Sequence, residues 1–213
     1  MQSPTAPIGI YDSGLGGLSV VRHLQRVLPQ ESFVYFADTG RVPYGGRSEA
    51  EIHEFSGQIM DFLSRQEVKI ILCACNTSSV VVLPKLKSYK GIDVLGLAQA
   101  GANIPQGFHR VALLATEATV RSGLYSSLIG QRFPELEIRE LACPEFVPLV
   151  ESGHWSGPEV ESIVASRLMS LADYQPDAVI LGCSHYPYLS EVIQKVLGSG
   201  VKLLDPAEQL VQQ

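Results

Sequence analysis

Short apolar runs rich in β-branched residues recur along this chain and alternate with longer stretches of mixed polarity. The runs predict strands over 8–12, 33–38, 69–75, 93–98, 110–116, 137–143, 177–183 and 201–205. The stretches between them predict helices over 15–28, 48–66, 78–89, 120–132, 158–172 and 189–197. In the second of these, Ile52, Phe55, Ile59, Phe62 and Leu63 follow an i, i+3, i+4 stripe, and Pro158 stands where a first helical turn tolerates proline. Strands alternating with helices imply parallel sheets joined by helical crossovers. The segment 96–105, rich in Gly and Ala and poor in pattern, is expected to join two α/β halves.

Two distant segments echo each other. Ile70-Ile71-Leu72-Cys73-Ala74-Cys75-Asn76-Thr77 and Ala178-Val179-Ile180-Leu181-Gly182-Cys183-Ser184-His185 are both apolar runs that stop at a cysteine followed by two hydrogen-bonding side chains. A fully buried parallel strand has this composition, and in open α/β sheets ligands bind beyond the carboxyl ends of strands. Two thiols offered by two similar halves suit chemistry on both faces of one atom, the requirement for inverting a stereocentre. Seven of the eight predicted strands end at a polar or ionisable residue: Asp12, Asp38, Cys75, Thr116, Cys143, Cys183 and Asp205. For Asp38, Cys143 and Asp205 an ordinary exit from the core explains the polarity equally well.

Composition narrows the partners. The chain has 213 residues, 46% of them hydrophobic, and a formal net charge of -6. That balance argues against nucleic acid or an anionic membrane as a partner and favours a small molecule. No apolar run is long enough for a membrane span, and the first residues lack the basic start of a signal peptide. The four cysteines therefore read as reduced thiols of a cytoplasmic protein.

The candidate motifs divide by chemistry. Asp12-Ser13-Gly14-Leu15-Gly16-Gly17, with Ser19 and Asp38 downstream, approaches a dinucleotide fingerprint, but the Asp12 charge would repel a pyrophosphate. A tight turn presenting Asp12 and Ser13 is preferred. Pro43-Tyr44-Gly45-Gly46 makes a loop whose N–H groups suit a carboxylate. Cys75 opens a predicted helix, where positive potential should lower its pKa, while Cys73 lies inside the apolar run as a structural residue. His185 stands two residues from Cys183, close enough to trade protons with it. A zinc site from Cys75, Cys183 and His185 ranks low without paired Cys-x2-Cys spacing. Lys69, Lys85, Lys87, Lys90, Lys195 and Lys202 all avoid the carboxyl ends of strands, which weakens a pyridoxal-phosphate reading.

Taken in order, these motifs resemble the glutamate racemases. The likeness is carried by Ile10 to Gly17, by Ala37-Asp38 with Pro43-Tyr44-Gly45, and by Ala74-Cys75-Asn76-Thr77. It continues through Leu114-Ala115-Thr116 and Thr119, Cys143-Pro144 with Val147-Pro148-Leu149-Val150-Glu151, and Gly182-Cys183-Ser184-His185-Tyr186-Pro187. The resemblance implies two similar α/β domains with mainly parallel sheets and the active site between them: residues 1–97 with 206–213, and residues 98–205. It implies cofactor-independent racemisation of L-glutamate to D-glutamate for peptidoglycan synthesis in the cytoplasm, with no metal. Cys75 and Cys183 would transfer the protons, helped by Asp12, His185 and Glu151. Asp12, Ser13, Pro43, Tyr44, Gly45, Asn76, Thr77, Thr116, Thr119, Ser184 and His185 would hold the substrate, and a homodimer is expected. Two positions depart from the family pattern: Ser184 replaces the usual Thr, and Gln99-Ala100-Gly101-Ala102 replaces Glu-Pro-Gly-Ala. An aspartate racemase, a related thiol-dependent isomerase, or a glutamate-binding module without turnover are the competing readings.

Overall fold

Nine strands form two sheets in the computed structural model, which describes residues 3–212. The first half runs β1 (Ile8–Asp12), α1 (Leu18–Val27), β2 (Phe33–Ala37), α2 (Glu49–Arg65), β3 (Ile70–Cys73), α3 (Asn76–Val82), β4 (Ser88–Tyr89), β5 (Ile92–Gly96) and α4 (Leu97–Gly101). The second runs β6 (Arg110–Ala115), α5 (Glu117–Ser122), α6 (Leu124–Arg132), β7 (Glu137–Ala142), α7 (Phe146–Glu151), α8 (Pro158–Leu168), β8 (Ala178–Gly182), α9 (Ser190–Leu197), β9 (Lys202–Leu204) and α10 (Pro206–Leu210).

The sheets have the orders β2-β1-β3-β5-β4 and β7-β6-β8-β9, all parallel except the short β4 against β5. Leaving β4 aside, each places its strands in the order second, first, third, fourth, so β3 and β8 hold equivalent positions. The central strands β1 and β8 are buried throughout, as both faces carry helices. Register then fixes which residues emerge together. Ala115 pairs with both Ala142 and Gly182, so the next residues, Thr116, Cys143 and Cys183, leave one sheet edge side by side. In the other sheet Tyr11 pairs with Cys73, and the Ala74 N–H bonds the Tyr11 carbonyl, so Asp12 and Cys75 emerge as neighbours.

The helices follow local chemistry with several differences from the periodic reading. α1 starts at Leu18, because Gly14, Gly16 and Gly17 are used in a turn. The stretch expected as a helix over 78–89 is α3, a one-turn 3-10 helix containing Pro84, and β4, since proline removes a backbone donor and ends the regular helix. The helix expected over 120–132 is two, α5 and α6, divided at Gly123 with its left-handed φ of 60°. α4 lies within the segment 96–105. α7 escaped notice because Pro148 interrupts its pattern, yet it falls in the first turn, where no intrahelical donor is lost. α2 carries a full capping box between Ser48 and Glu51.

Packed side chains lie on both faces of each sheet. α10 follows β9 but packs on α4 and α1, with Ala207 and Leu210 buried among Ile10, Leu24 and Leu97. Gly101 permits this approach, for a Cβ there would stand 2.8 Å from Pro206 Cγ. Among the described residues no helix is long and apolar enough to cross a membrane.

Candidate active site

The carboxyl ends of the two sheets face each other, and the buried polar residues gather there. Asp12, Cys75, Cys183 and His185 are 0, 3, 5 and 1% exposed, and Ser13, Asn76, Thr77, Thr116, Thr119 and Ser184 are buried with them. The site is therefore closed in this state. Beside it, between the 43–46 loop and residues 144–147, a cavity of about 180 Å³ reaches Pro43, Gly45 and Thr116.

Three of the seams that join the halves border the site. At the first, the 14–17 turn presses on the second half: Asp12 Oδ2 accepts from the Gly14 N–H at 2.9 Å, Asp12 Oδ1 accepts from Ser184 Oγ at 2.8 Å, and the Leu15 N–H donates to Glu151 Oε1 at 2.8 Å. A Cβ on Gly16 would stand 2.4 Å from His185 Nδ1 and 2.5 Å from Ser184 Oγ. The glycines of this turn are thus required by close contact with protein groups, which accounts for them without a phosphate. At the second seam Thr77 Oγ1 and Thr116 Oγ1 share a hydrogen bond of 2.8 Å, and Thr116 lies 3.1 Å from Thr119 Oγ1. At the third, the Ala118 N–H donates to the Gly45 carbonyl at 3.2 Å. Tyr44 spends its hydroxyl on Asp38, which also receives Arg41 Nε at 2.7 Å. Asp38 thereby anchors its own loop and is not offered to a ribose.

Each candidate thiol has a distinct environment. Cys75 is the N-cap of α3, and its Sγ accepts from the Ser78 N–H at 3.5 Å. The helix terminus was expected to lower its pKa, but the opposite holds: burial first, then the nearby Asp12 charge, push it up to about 12. The cause is closure, which removes the water a thiolate needs. Cys75 therefore rests as a thiol. Cys183 Sγ lies 3.7 Å from His185 Nδ1, and His185 Nε2 lies 2.5 Å from Glu151 Oε1. Burial alone would lower the His185 pKa, yet the bonds to Cys183 and Glu151 overcome it and push it up to about 10. Glu151 is correspondingly held below the ordinary carboxylate range by its bond from His185. Behind these groups Tyr125 donates to Asn76 Oδ1 at 3.1 Å, leaving the buried Asn76 Nδ2 without a partner.

The structure thus brings Cys75, Cys183, Asp12, His185, Glu151, Ser184, Asn76, Thr77, Thr116 and Thr119 into one buried cluster, with Ser13, Pro43 and Gly45 at its edge and Tyr44 turned onto Asp38. Cys73 is buried at the end of β3 and donates to the Cys75 carbonyl at 3.3 Å, and Cys143 is buried with its pKa raised by burial. Among the described residues no three His, Cys, Asp or Glu side chains gather as metal ligands. Two participants escaped the sequence reading: Tyr35, an ordinary-looking strand aromatic that donates to the Gly14 carbonyl, and Tyr125, which carries no motif.

Two expected outcomes follow from this geometry. Thr116→Val keeps the side-chain shape but removes the hydroxyl that caps α5 and bridges Thr77 and Thr119. It should lower the unfolding free energy by about 1 kcal/mol in urea titrations. The His185–Glu151 pair should also shape stability against pH. A raised His185 stabilises fully below its ordinary value of 6.5, and this is lost as pH rises through about 10. A lowered Glu151 stabilises above its ordinary value of 4.5, and this is lost as pH falls through its folded value. The gap in thermal midpoint between the parent chain and Glu151→Gln should therefore be widest between 4.5 and 6.5, shrink as pH rises toward about 10, and shrink again as pH falls below 4.5. A gap independent of pH would disprove the pairing.

Comparison with known proteins agrees with the geometry. The family model described as Asp/Glu/Hydantoin racemase matches residues 16–213. A glutamate racemase of Thermus thermophilus is 46% identical over 213 residues, covering 100% of this chain and 80% of that protein. One from Picosynechococcus sp. is 46% identical over 207 residues, covering 96% and 74%. The crystal structure of a glutamate racemase from Francisella tularensis, in complex with D-glutamate, superposes with a TM-score of 0.91 at 39% identity, covering 98% of this chain and 79% of that one.

Proposed function

The chain belongs to the Asp/Glu/Hydantoin racemase family, and from that premise we propose that Cys75 and Cys183 interconvert L- and D-glutamate by two-base proton transfer at Cα. The observation that carries the mechanism is the presentation of one buried thiol from each half, at equivalent strand ends. As the thiolate of one cysteine takes the α-proton, the thiol of the other delivers a proton to the opposite face. The pair then stands with its protonation exchanged, ready for the reverse direction.

Each neighbour has a role. Cys75, resting as a thiol, is the acid when Cys183 is the base. His185, bonded to Cys183 on one side and to Glu151 on the other, offers positive charge where the proton leaves Cys183 Sγ. In the other direction the substrate's ammonium group supplies positive charge that lets Cys75 ionise beside Asp12. The carbanion is a strong base, so the negative charge developing on the substrate carboxylate must meet fixed donors in a site without water. The unpartnered Asn76 Nδ2 and the hydroxyls of Thr77, Thr116, Thr119 and Ser184 supply them, with Ser13, Pro43, Gly45 and the Tyr44 loop closing the other side. No step needs a cofactor. His185 after the second cysteine favours glutamate over aspartate by family likeness.

We further place residues 206–213 with 1–97 as one domain and 98–205 as the other, a division that the packing of α10 on α1 supports. D-glutamate for peptidoglycan, made in the cytoplasm by a homodimer, is the physiological reading. Chiral chromatography of purified chain with L-glutamate and with L-aspartate, without added cofactor, tests the assignment. Conversion of glutamate to a racemic mixture supports it; conversion of aspartate alone favours the aspartate reading; binding without conversion favours the module without turnover.

A further inference from the structure

The peptide joining Gly14 and Leu15 is held at both ends. Tyr35, on β2, donates its hydroxyl to the Gly14 carbonyl at 2.7 Å. The Leu15 N–H of the same peptide donates to Glu151 Oε1 at 2.8 Å. That oxygen receives His185 Nε2 at 2.5 Å, and His185 Nδ1 faces Cys183 Sγ at 3.7 Å. We propose that Tyr35 is a positioning residue for the Cys183 centre, acting across the two halves through this peptide and Glu151. The proposal rests on the racemase reading and adds a residue to it.

Three observations support a built arrangement. Gly14 has no Cβ, so its torsions alone do not fix the plane of the following peptide, and an external bond must. A Cβ at Gly14 would in fact lie 2.0 Å from Glu151 Oε1, so the contact leaves no room for a side chain that would restrain the backbone. Gly17 clears the path for Tyr35, since a Cβ there would stand 2.8 Å from the Tyr35 hydroxyl. The hydroxyl is also a permanent donor: burial, then the charge of Asp12, raise its pKa above the ordinary phenol range. A carbonyl that accepts a hydrogen bond polarises its own peptide and strengthens the N–H on the far side. Tyr35 thus fixes the direction and the strength of the Leu15 N–H, which fixes the Glu151 carboxylate against His185. Because β2 and the 14–17 turn belong to the first half and Glu151, His185 and Cys183 to the second, the effect operates only when the halves are closed.

Tyr35→Phe keeps the ring and deletes the donor. The expected result is a fall in kcat of about fivefold, the worth of one neutral hydrogen bond, with KM for glutamate little changed. In a Glu151→Gln background the same substitution should have no further effect on kcat, because the pathway is already cut. An equal loss in both backgrounds, or an unchanged kcat, overturns the proposal. A second readout does not depend on turnover: the ring proton of His185 Nε2 in the proton NMR spectrum, assigned by its loss in His185→Gln. The 2.5 Å bond should place it far downfield, and Tyr35→Phe should move it upfield. If Tyr35→Phe fails to fold, 3-fluorotyrosine at position 35 alters the donor without altering the packing, and an unmoved resonance then overturns the proposal. Absence of racemisation by the parent chain would instead defeat the functional reading, while the resonance still reports on Tyr35.

Discussion

Cys75→Ala and Cys183→Ala should each lose racemisation by up to about 10⁴-fold while still binding glutamate. Proton transfer by a positioned side chain contributes about 10²- to 10⁴-fold, and here the missing group has no substitute: its face of Cα is left without a base or an acid. Both thiols are buried and neither holds a structural bond to a distant element, so the small side chain of Ala should be accommodated with the fold intact. The two variants should also differ from each other. Each retains one thiol, so each should wash the α-proton out of only one enantiomer, and slowly. Cys75→Ala leaves the thiol that His185 and Glu151 support, and Cys183→Ala leaves the one that is pushed up to about 12. Exchange should therefore be faster in Cys75→Ala. Racemisation retained in either variant, followed by chiral chromatography, would exclude the two-thiol assignment.

Gly16→Ala should disable the chain by a different route. The new methyl would enter at 2.4 Å from His185 Nδ1 and 2.5 Å from Ser184 Oγ, two buried groups already hydrogen-bonded to Glu151 and Asp12. Overpacking of this kind costs about 1–3 kcal/mol, which urea unfolding would read. The larger effect is on activity. Pushing the turn back lengthens the Leu15 to Glu151 bond and the Ser184 to Asp12 bond together, so the halves no longer meet. Activity should fall by more than the loss of folded protein accounts for. Full activity and stability in Gly16→Ala would mean that the turn does not seat against His185.

What the sequence made legible follows the length scale of the forces. The doubly buried strands β1, β3, β6 and β8 read directly as apolar runs, and both cysteines were placed at strand ends by the same pattern. The echo between the two cysteine segments pointed to two equivalent halves, and the common strand order bears that out in the sheets. Breaks imposed by single residues were less visible: Gly123 divides one expected helix, Pro148 hides α7, and Pro84 cuts α3 short. Contacts across the halves were not legible from spacing at all. Glu151 entered only through family likeness, because nothing local marks a glutamate at the end of a short helix as the partner of a histidine 34 positions away. The Cys75 environment was misjudged for a related reason. A helix N-terminus is visible in sequence, whereas the burial and the Asp12 charge that outweigh it arise only when the halves close.

The central claim is that two different groups handle the proton on the two faces of one carbon. It is tested most directly by following glutamate in deuterated water at early times, with NMR to read deuterium at Cα and chiral chromatography to separate the enantiomers. Two-base transfer predicts that the product enantiomer carries solvent deuterium from the first turnover, while the remaining substrate enantiomer stays protiated. Deuterium appearing in substrate and product at the same rate would mean one group serving both faces, and would contradict the account.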